Sequence, residues 1–383
     1  MRMTRRHFLA ACAALCATRK LRAAAASAVT ASALNRGVNL SGWFGGWGEY
    51  SAQHIATWTT PQDLAYIKAC GLGYVRLPID PVQLTSGGFN APESVAALAR
   101  LDAALDQILA AGLNVSVTIF PRSEYKQALL TPEGEEAFLD VWRMLATHLA
   151  ARDPQRVFFD LLNEPELRNY SAWNHIQSRC VRAIRSIDTT HTLIATGSMY
   201  AAIDDLLHVK PVKDKNTVYT FHFYEPIQFT HQGVSWSAPV LRELKDVPYP
   251  ATQAEVQPLI DAATDPDARA SLRSYAAGEW NSGTIRARLG KARAWADHHK
   301  VSLICNEFGA FRETIPDELR AHYLHDVRAS LESLNIPWAL WDYRGNFGMV
   351  QHDRAGAIVP DVPVVDALGL TPPAPATTRS NEL

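Results

Sequence analysis

The sequence predicts an α/β fold, a (β/α)8 TIM barrel, for most of its 383 residues. Eight short apolar runs follow one another along the chain, and amphipathic stretches separate them. The runs are rich in Val, Ile, Leu and Phe without clear alternation, which is typical of parallel strands covered on both faces. The hydrophobic content of 47% is enough for a large core. This repeated β–α alternation favours a single barrel domain.

Each element of the barrel has its own sequence signal. The expected strands are the runs 37–40, 74–77, 113–120, 157–162, 192–196, 218–223, 301–305 and 337–341. The expected helices are 94–111, 132–151, 173–186, 285–298 and 316–334. In the first of these helices an apolar stripe repeats at helical spacing and comprises Val95, Leu98, Leu101, Leu105, Ile108 and Leu109. Gly112 then provides a typical C-terminal stop.

The chain divides into an expected signal peptide at 1–28, one barrel domain at 29–370 and a disordered Pro/Thr-rich tail at 371–383. A long insertion at 225–284 is expected to cover one barrel mouth. Arg5 and Arg6 begin a twin-arginine-like export motif, and an Ala-rich stretch suited to signal peptidase follows. The alternatives are an ordinary secretory signal, a disordered tail or a lipoprotein box at 9–12. We therefore expect export to the periplasm or the exterior.

Composition argues against several classes of function. The formal net charge is −2 and no basic stripe is present, which argues against a nucleic-acid partner. The N-terminal apolar stretch is shorter than the ~20 residues of a membrane span, so no membrane span is expected. After the signal, Cys70, Cys180 and Cys305 form an odd, sparse set that predicts buried free thiols. No CxxC pair suggests zinc, and we expect no metal, no cofactor and a monomer.

The ends of the predicted strands carry polar and aromatic side chains. Strands two, four, six, seven and eight contribute Arg76, Asn163, Glu164, His222, Tyr224, Asn306, Glu307 and Trp341. The C-terminal ends of barrel strands meet at the working face, so these side chains are expected to converge. Taken singly, each has a bland explanation as a core ion pair, a satisfied polar group or a rim salt bridge. Several on one face favour an active site.

These motifs together resemble glycoside hydrolase family 5, the cellulase-type family of retaining β-glycanases. The matching pieces are NEP at 163–165, HFY at 222–224, NEFG at 306–309, VRLP at 75–78, GVNL at 37–40 with Trp43, and Trp341. The resemblance implies a retaining endo-β-glycanase, foremost an endo-β-1,4-glucanase. Its partner would be β-glucan or a related polysaccharide or oligosaccharide. β-Mannanase, xyloglucanase and β-1,3-glucanase activities stay open as alternatives.

The resemblance also implies a division of labour between two carboxyl groups. Glu164 would be the acid/base and Glu307 the nucleophile, with their carboxyl groups ~5–5.5 Å apart. Arg76 would keep Glu307 ionised by direct attraction, and Tyr224 would orient it. The charge of Glu307 would in turn keep Glu164 protonated. Glu166 matches no family role and is expected to be a rim charge.

Further residues are expected to bind the substrate. Asn163 would bond the sugar 2-hydroxyl, His222 would contact the same region, and Trp341 would form the floor beneath the reacting sugar. Asn39 on the first strand is expected to support them. Aromatic candidates for further subsites are Trp43, Trp47, Trp236, Trp280 and Phe347.

One feature departs from the family pattern. Many members place a His at the end of strand three, whereas this strand ends in IFPR at 119–122. Arg122 or Glu124 could substitute for it, or the substrate could differ.

Other functions find less support. A metal-dependent barrel hydrolase needs His-x-His on strand one, and a serine hydrolase needs Gly-x-Ser-x-Gly; the sequence has neither motif. A barrel that only binds glycans would need neither catalytic Glu, whereas both are present.

Overall fold

The described part of the chain closes into a barrel of eight parallel strands, in the order β1 to β8, which confirms the predicted fold class. The computed structural model describes residues 33–46 and 50–373. The expected signal peptide at 1–28, Trp47 and residues 374–383 of the expected tail lie outside these ranges. None of the helices within the described ranges has the length and apolar character that a membrane span requires.

All eight predicted strand regions are strands of the barrel, and only their ends differ from the prediction. Strands β1–β8 are Arg36–Asn39, Tyr74–Ile79, Asn114–Ile119, Val157–Asp160, Leu193–Thr196, Thr217–Phe223, Ser302–Phe308 and Trp338–Leu340. The barrel closes where β1 pairs with both β2 and β8. After β8, strands β9 (Val350–His352) and β10 (Ile358–Pro360) form an antiparallel hairpin.

Helices follow the strands and cover the outside of the barrel. Helices α1–α15 are Ala52–Trp58, Pro61–Ala69, Val82–Thr85, Pro92–Ala110, Ser123–Ala128, Pro132–Leu149, Tyr170–Arg185, Ile203–Leu206, Ile227–Thr230, Pro239–Arg242, Gln253–Ala262, Pro266–Ala277, Ser282–His299, Asp317–Ser333 and Val362–Ala367. The five predicted helices are all among them. Gly112 follows α4 with φ +77°, the left-handed conformation that a C-terminal stop requires.

The buried face of α4 differs in part from the predicted stripe. Leu101, Leu105 and Ile108 are fully buried, as predicted. Val95 is 55% exposed, so its assignment to the stripe was wrong. The buried first turn instead uses Ser94, whose hydroxyl donates to the Ser86 carbonyl at 3.1 Å. The helix starts close to the preceding loop, and the small side chain of Ser94 fits there because its hydroxyl finds an acceptor in that loop.

The interior of the barrel changes from apolar to polar along the strands. Its lower layer is a buried cluster formed by Leu34, Tyr74, Phe158, Ile194, Val218, Ile304 and Ala339. Successive side chains on a strand alternate between faces, so residues two positions on point inward again. Those positions hold Arg76, Asp160, Thr196, Thr220 and Asn306, all buried. Strands β2, β4, β5, β6 and β7 thus each place an apolar side chain in the lower layer and a polar side chain above it, toward the C-terminal mouth.

Four helices, α9–α12, lie between β6 and α13. The first of them packs beside the mouth, because Thr230 Oγ1 donates to the Tyr224 carbonyl at 2.6 Å. The segment before it is held at Glu225, whose carboxylate accepts two hydrogen bonds from Arg288, each 2.6 Å long. Tyr323 also donates to the Glu225 carbonyl, at 2.9 Å. The chain leaving β6 is therefore fixed at Tyr224 and at Glu225.

Cys70, Cys180 and Cys305 are buried and free, as predicted. Burial raises the pKa of the Cys180 and Cys305 thiols well above the ordinary value. The thiolate is the reactive form of cysteine, so these residues are packing groups and not nucleophiles.

Candidate active site

Glu307, at the C-terminal end of β7, is buried and contacted on both carboxylate oxygens. Arg76 Nη1 donates to its Oε1 at 2.5 Å, and the Tyr224 hydroxyl donates to its Oε2 at 2.9 Å. His222 Nδ1 lies 3.4 Å from the same Oε2. The side chain is only 4% exposed. Its orientation is therefore set by three neighbours from β2, β6 and the loop after β6.

Arg76 connects this carboxylate to the polar layer of the barrel. Its Nε donates to Asp160 at 2.6 Å, and its Nη1 also reaches Asn39 Oδ1 at 3.1 Å. Its Nη2 donates to Asn163 Oδ1 at 3.0 Å. A buried guanidinium between the carboxylates of Asp160 and Glu307 is charge-compensated and stays protonated. The expected pairing of Arg76 with Glu307 is confirmed.

Asn39 acts within the wall of the barrel and is fully buried. Its Nδ2 donates to the carbonyls of Asn306 and Leu340, at 2.9 and 3.0 Å. It thereby links β1 to β7 and β8 while its oxygen accepts from Arg76. Its contacts support the other site residues, as expected for this position.

Glu164 stands on a constrained turn that follows β4. Its φ is +41°, and that of Glu166 is +57°, a left-handed conformation that is uncommon outside glycine. Before the turn, the backbone N–H of Asn163 donates to the Ile119 carbonyl at 2.8 Å. After it, the Glu166 amide donates to the Met199 carbonyl at 2.8 Å. The end of β3 and the loop after β5 thus hold the turn on its two sides, and Pro165, which has no N–H, needs no acceptor there.

Glu166 is paired with a buried lysine. Lys126 on α5 is only 3% exposed, and its Nζ lies 2.7 Å from Glu166 Oε1. The next residue, Gln127, donates its amide to the Glu166 carbonyl at 2.9 Å. The rim charge expected at Glu166 is thus one half of an ion pair beside Glu164, and sequence reasoning did not identify Lys126.

The two candidate carboxylates lie close together on either side of His222. One ligand atom each from Glu164, His222 and Glu307 lie within 4.8 Å of one another. His222 Nδ1 is 2.9 Å from Glu164 Oε1. Glu164 is the more accessible of the two carboxyl groups, with a side chain 23% exposed. The structure therefore brings Glu164, Glu307, Arg76, Asn163, His222 and Tyr224 into one cluster.

The protonation of the two carboxyl groups is governed mainly by burial. The pKa of Glu164 is raised to about 7, mainly by burial and also by Glu166, while Lys126 and Arg76 oppose the rise. Burial also raises the pKa of Glu307, against the attraction of His222 and Arg76 and the hydrogen bond from Tyr224. Arg76 attracts the Glu307 carboxylate as expected, but burial outweighs this attraction and the net shift of the Glu307 pKa is upward. Burial and Glu166 are the main causes of the raised pKa at Glu164, rather than Glu307 as expected.

Two further site groups are held in their neutral forms. Burial lowers the pKa of His222 to about 4, so its imidazole is neutral at pH 7 and carries one N–H. Burial and the nearby Glu307 raise the pKa of Tyr224 well above its ordinary value. The Tyr224 hydroxyl therefore keeps its proton and remains a donor to Glu307.

Trp341 follows β8 and has an aromatic neighbour from the other side of the mouth. The ring of Phe120, which follows β3, stacks on it with centroids 5.6 Å apart and planes 13° from parallel. Phe120 therefore occupies the end of strand three, where the family pattern has a His. Arg122 and Glu124, the suggested substitutes, are both exposed on the rim. An apolar ring has replaced a hydrogen-bonding group at this position.

The aromatic subsite candidates fall into different environments. The prediction for Trp43 is wrong, because its side chain is 2% exposed and its indole N–H donates to the Ile55 carbonyl at 2.8 Å. Phe347 is also buried, at 5% exposed, and packs against Tyr224. Trp236 is 46% exposed and contacts Phe311 edge to face. Trp280 is half-buried, and Trp47 lies outside the described residues.

Some members of the site were within reach of the sequence. Asp160 and Asn306 lie two positions beyond the buried Phe158 and Ile304, so a two-residue period places them on the inner face. Their contact, Asn306 Nδ2 to Asp160 Oδ2 at 3.0 Å, joins β7 to β4. Lys126 carried no comparable signal, because a lysine in a short helix usually faces solvent.

The Glu164–His222–Glu307 group also has the atom types of a cation site. The Arg76 guanidinium already places a positive charge 2.5 Å from Glu307. A cation bound there would face that repulsion, so the arrangement suits a proton-transfer pair better than a metal centre.

Two carboxyl groups this close, at the C-terminal mouth of a (β/α)8 barrel, are typical of retaining glycoside hydrolases. The comparison with family models makes the class specific. Residues 30–347 match the model described as Cellulase (glycosyl hydrolase family 5), and the chain belongs to that family. It is therefore a glycoside hydrolase of a retaining family, as the sequence motifs implied.

Individual relatives agree with this assignment. Endoglucanase C of Acetivibrio thermocellus is 28% identical over 327 residues, which cover 83% of this chain and 94% of that protein. Endoglucanase 3 of Fibrobacter succinogenes is 28% identical over 345 residues, but only 51% of its length is matched. The structure of Thermotoga maritima Cel5A with mannotriose aligns with a TM-score of 0.70 at 23% identity, covering 88% of this chain and 98% of that one. The structural likeness concerns the fold.

Proposed function

We propose that this chain is a retaining endo-β-glycanase with β-1,4-glucan as its leading substrate. The observation that carries the proposal is the closeness of Glu164 and Glu307, whose nearest ligand atoms lie within 4.8 Å. Retaining enzymes hold their carboxyl groups ~5–5.5 Å apart, whereas inverting enzymes leave ~6.5–9.5 Å for a water molecule. The spacing here favours direct attack by a carboxylate.

In the first step, Glu307 attacks the anomeric carbon and forms a glycosyl ester as the glycosidic bond breaks. Glu164 gives its proton to the departing oxygen, so the leaving sugar departs as a neutral alcohol. A pKa of about 7 keeps Glu164 largely protonated in mildly acidic solution. Arg76 and Tyr224 fix both oxygens of Glu307, so one of these contacts must loosen as the ester forms.

In the second step, Glu164 acts as the base. It takes a proton from water as the water oxygen attacks the anomeric carbon, and the ester bond to Glu307 breaks. Esterification removes the negative charge of Glu307, which makes ionisation of Glu164 easier. The regenerated carboxylate again accepts from Arg76 and Tyr224. The sugar leaves with its original anomeric configuration.

Other residues position the reacting sugar in this proposal. The Arg76 contact fixes the amide plane of Asn163, and that side chain would bond the 2-hydroxyl. Trp341 would stack beneath the sugar ring, with Phe120 extending the aromatic surface. Trp236 is exposed and suits a more distant subsite.

The names of the relatives support a glucan substrate. Endoglucanase C and Endoglucanase 3 are both named for endo-acting glucanase activity. Mannan is the second candidate, because a structural neighbour is described in complex with mannotriose. Xyloglucan and β-1,3-glucan also stay open, since Phe120 removes a polar contact that the family pattern provides.

A 2-fluoro-glycoside inactivator tests the mechanism, because it traps the glycosyl ester. We expect the label on Glu307, located by peptide mass spectrometry, and reducing-end assays over a polysaccharide panel should show the fastest release from β-1,4-glucan. The Glu307→Gln variant should lose hydrolysis while it still binds glycan. Label on Glu164, or no cleavage of any β-glycan by the parent enzyme, would overturn the proposal.

A further inference from the structure

A pocket of about 460 Å³ lies among the segments that follow β7 and β8. Its walls come from the end of α1, the loops that follow β7 and β8, and strand β9. The loop after β8 starts at Trp341, and Arg344 in the pocket wall is three residues further on. Three residues span at most about 11 Å. An oligosaccharide seated on Trp341 can therefore reach the pocket.

The pocket wall is bonded to Asp342, the residue that follows Trp341. The Gly345 amide donates to Asp342 Oδ1 at 3.1 Å, and the Ser41 hydroxyl donates to Asp342 Oδ2. The Trp58 indole donates to the Ser41 carbonyl at 2.8 Å. Trp58 and Gly345 both line the pocket. The pocket is therefore a built extension of the barrel mouth.

Arg344 is the central feature of the pocket. Its guanidinium lies over the Trp58 ring, 4.0 Å from the centroid, and its Nη1 donates to the Trp58 carbonyl. Trp58 is in turn stacked on His54 at 4.8 Å. Among the residues that the structure describes, no carboxylate lies within ion-pair distance of Arg344. The head group is thus held in place with most of its five N–H donors unused.

The whole lining has two arginines against one acidic residue, together with amide groups. Arg312 contributes a second guanidinium, anchored by the Val350 carbonyl at 3.1 Å and by Asp361 at 3.3 Å. Asn346 and Gln351 add exposed amides, and Glu313 is the one acidic residue in the lining. Planar guanidinium groups recognise carboxylates through paired hydrogen bonds.

We propose that this pocket, the Arg344 pocket, binds a carboxylate carried by the sugar chain on the glycone side of the cleavage point. An acid that protonates the leaving oxygen stands on the leaving-group side, and Glu164 follows β4. The Arg344 pocket lies across the closed barrel, beside β8 and β1. The ligand is an acidic β-glycan, either one with uronic acid units or one with carboxylic acid substituents. This inference rests on the proposed function for its orientation.

The test compares carboxylated and neutral forms of one backbone. The substrates are carboxymethyl cellulose, C6-oxidised cello-oligosaccharides and neutral cello-oligosaccharides, and the readout is the ratio of kcat/KM on each acidic substrate to that on the neutral one. Arg344→Gln should lower this ratio about tenfold, as loss of a charge-assisted hydrogen bond predicts. The acidic substrate that loses more identifies the source of the carboxylate. Because both substrates report on the same folded fraction, partial unfolding does not move the ratio.

The matched control is Arg354→Gln in the turn between β9 and β10, an exposed residue outside the pocket lining. It removes the same charge from the same region and should leave the ratio unchanged. Arg344→Lys should fall between, since it keeps the charge without the planar pair of donors. An unchanged ratio in Arg344→Gln, or an equal fall in Arg354→Gln, would refute the pocket.

Binding to the inactive Glu307→Gln variant separates this inference from the proposed function. Calorimetry with neutral cello-oligosaccharides tests the function, because binding is expected with or without Arg344. Calorimetry with C6-oxidised oligosaccharides tests the pocket, where adding Arg344→Gln should weaken binding. Failure to bind the neutral chain, with Arg344-dependent binding of the acidic one, would refute the glucan substrate and keep the pocket.

Discussion

At the scale of single residues, the ionisation of Glu164 sets the alkaline limit of the proposed reaction. The acid must carry a proton, and burial raises its pKa to about 7. The value of kcat/KM should therefore fall as the pH rises through about 7. The charged and titratable groups around Glu164 are His222 and Glu307 at the mouth, Arg76 on β2, Lys126 on α5 and Glu166 on its own turn.

Substitutions in the Lys126–Glu166 pair test this alkaline limit, because the two substitutions should shift it in opposite directions. Lys126→Met removes a positive charge and leaves Glu166 unpaired, so the alkaline limit should move to higher pH. Glu166→Gln leaves Lys126 unpaired and should move the limit to lower pH. The measurement is kcat/KM against pH on a neutral oligosaccharide.

The double variant Lys126→Met/Glu166→Gln is the control for these shifts. It removes both charges and should return the limit toward that of the parent enzyme. A substrate with an activated aryl leaving group needs little protonation and should show a weaker alkaline fall. Shifts of the same sign in both single variants would show that the pair acts through structure instead of charge.

The residues of the site differ in how far the sequence could predict them. Glu164 and Glu307 follow from motifs at strand ends, because the barrel fixes where those ends meet. The burial of Trp43 could not be predicted, because it depends on how α1 packs. That packing places the Ile55 carbonyl 2.8 Å from the indole nitrogen of Trp43. Lys126 and Glu166 are 40 positions apart and meet only through the contact between α5 and the β4 turn.

At the scale of elements, the strands were predictable because both their faces are buried. In the run Val115–Ile119 within β3, apolar side chains face the helices, and the side chains between them face the barrel interior. Helix faces were less predictable. In α4, Val95 fits the apolar stripe by spacing, yet its side chain is 55% exposed, and the neighbouring Ser94 is the buried residue of the first turn.

A pair of substitutions in α4 tests this assignment of its buried face. Leu101→Ala should lower the free energy of unfolding by about 2–5 kcal/mol, because the fully buried side chain leaves a cavity. Val95→Ala should change it by less than about 0.5 kcal/mol, as for other exposed positions. Denaturant unfolding measures both. Equal losses at the two positions would show that Val95 is buried in solution.

At the scale of the whole molecule, the barrel is complete only when its two chain ends meet. Val38 in β1 pairs with Val75 in β2 and with Leu340 in β8. The pairing with β8 requires almost the whole chain to have been synthesised. Contacts so distant in sequence form slowly. The three described cysteines are free and buried, so the fold depends on no disulfide among them.

We propose that the protein folds before export and that the twin-arginine-like motif directs that export. Replacing Arg5 and Arg6 together by Lys should retain the protein in the cytoplasm in active form. The measurement is glycanase activity in cell fractions, compared with the parent sequence in a strain that lacks the twin-arginine translocase, which should also retain it. Export of the double variant at the parent level would instead favour an ordinary secretory signal. That route carries unfolded chains, so the closing of β1 onto β8 would then have to occur after export.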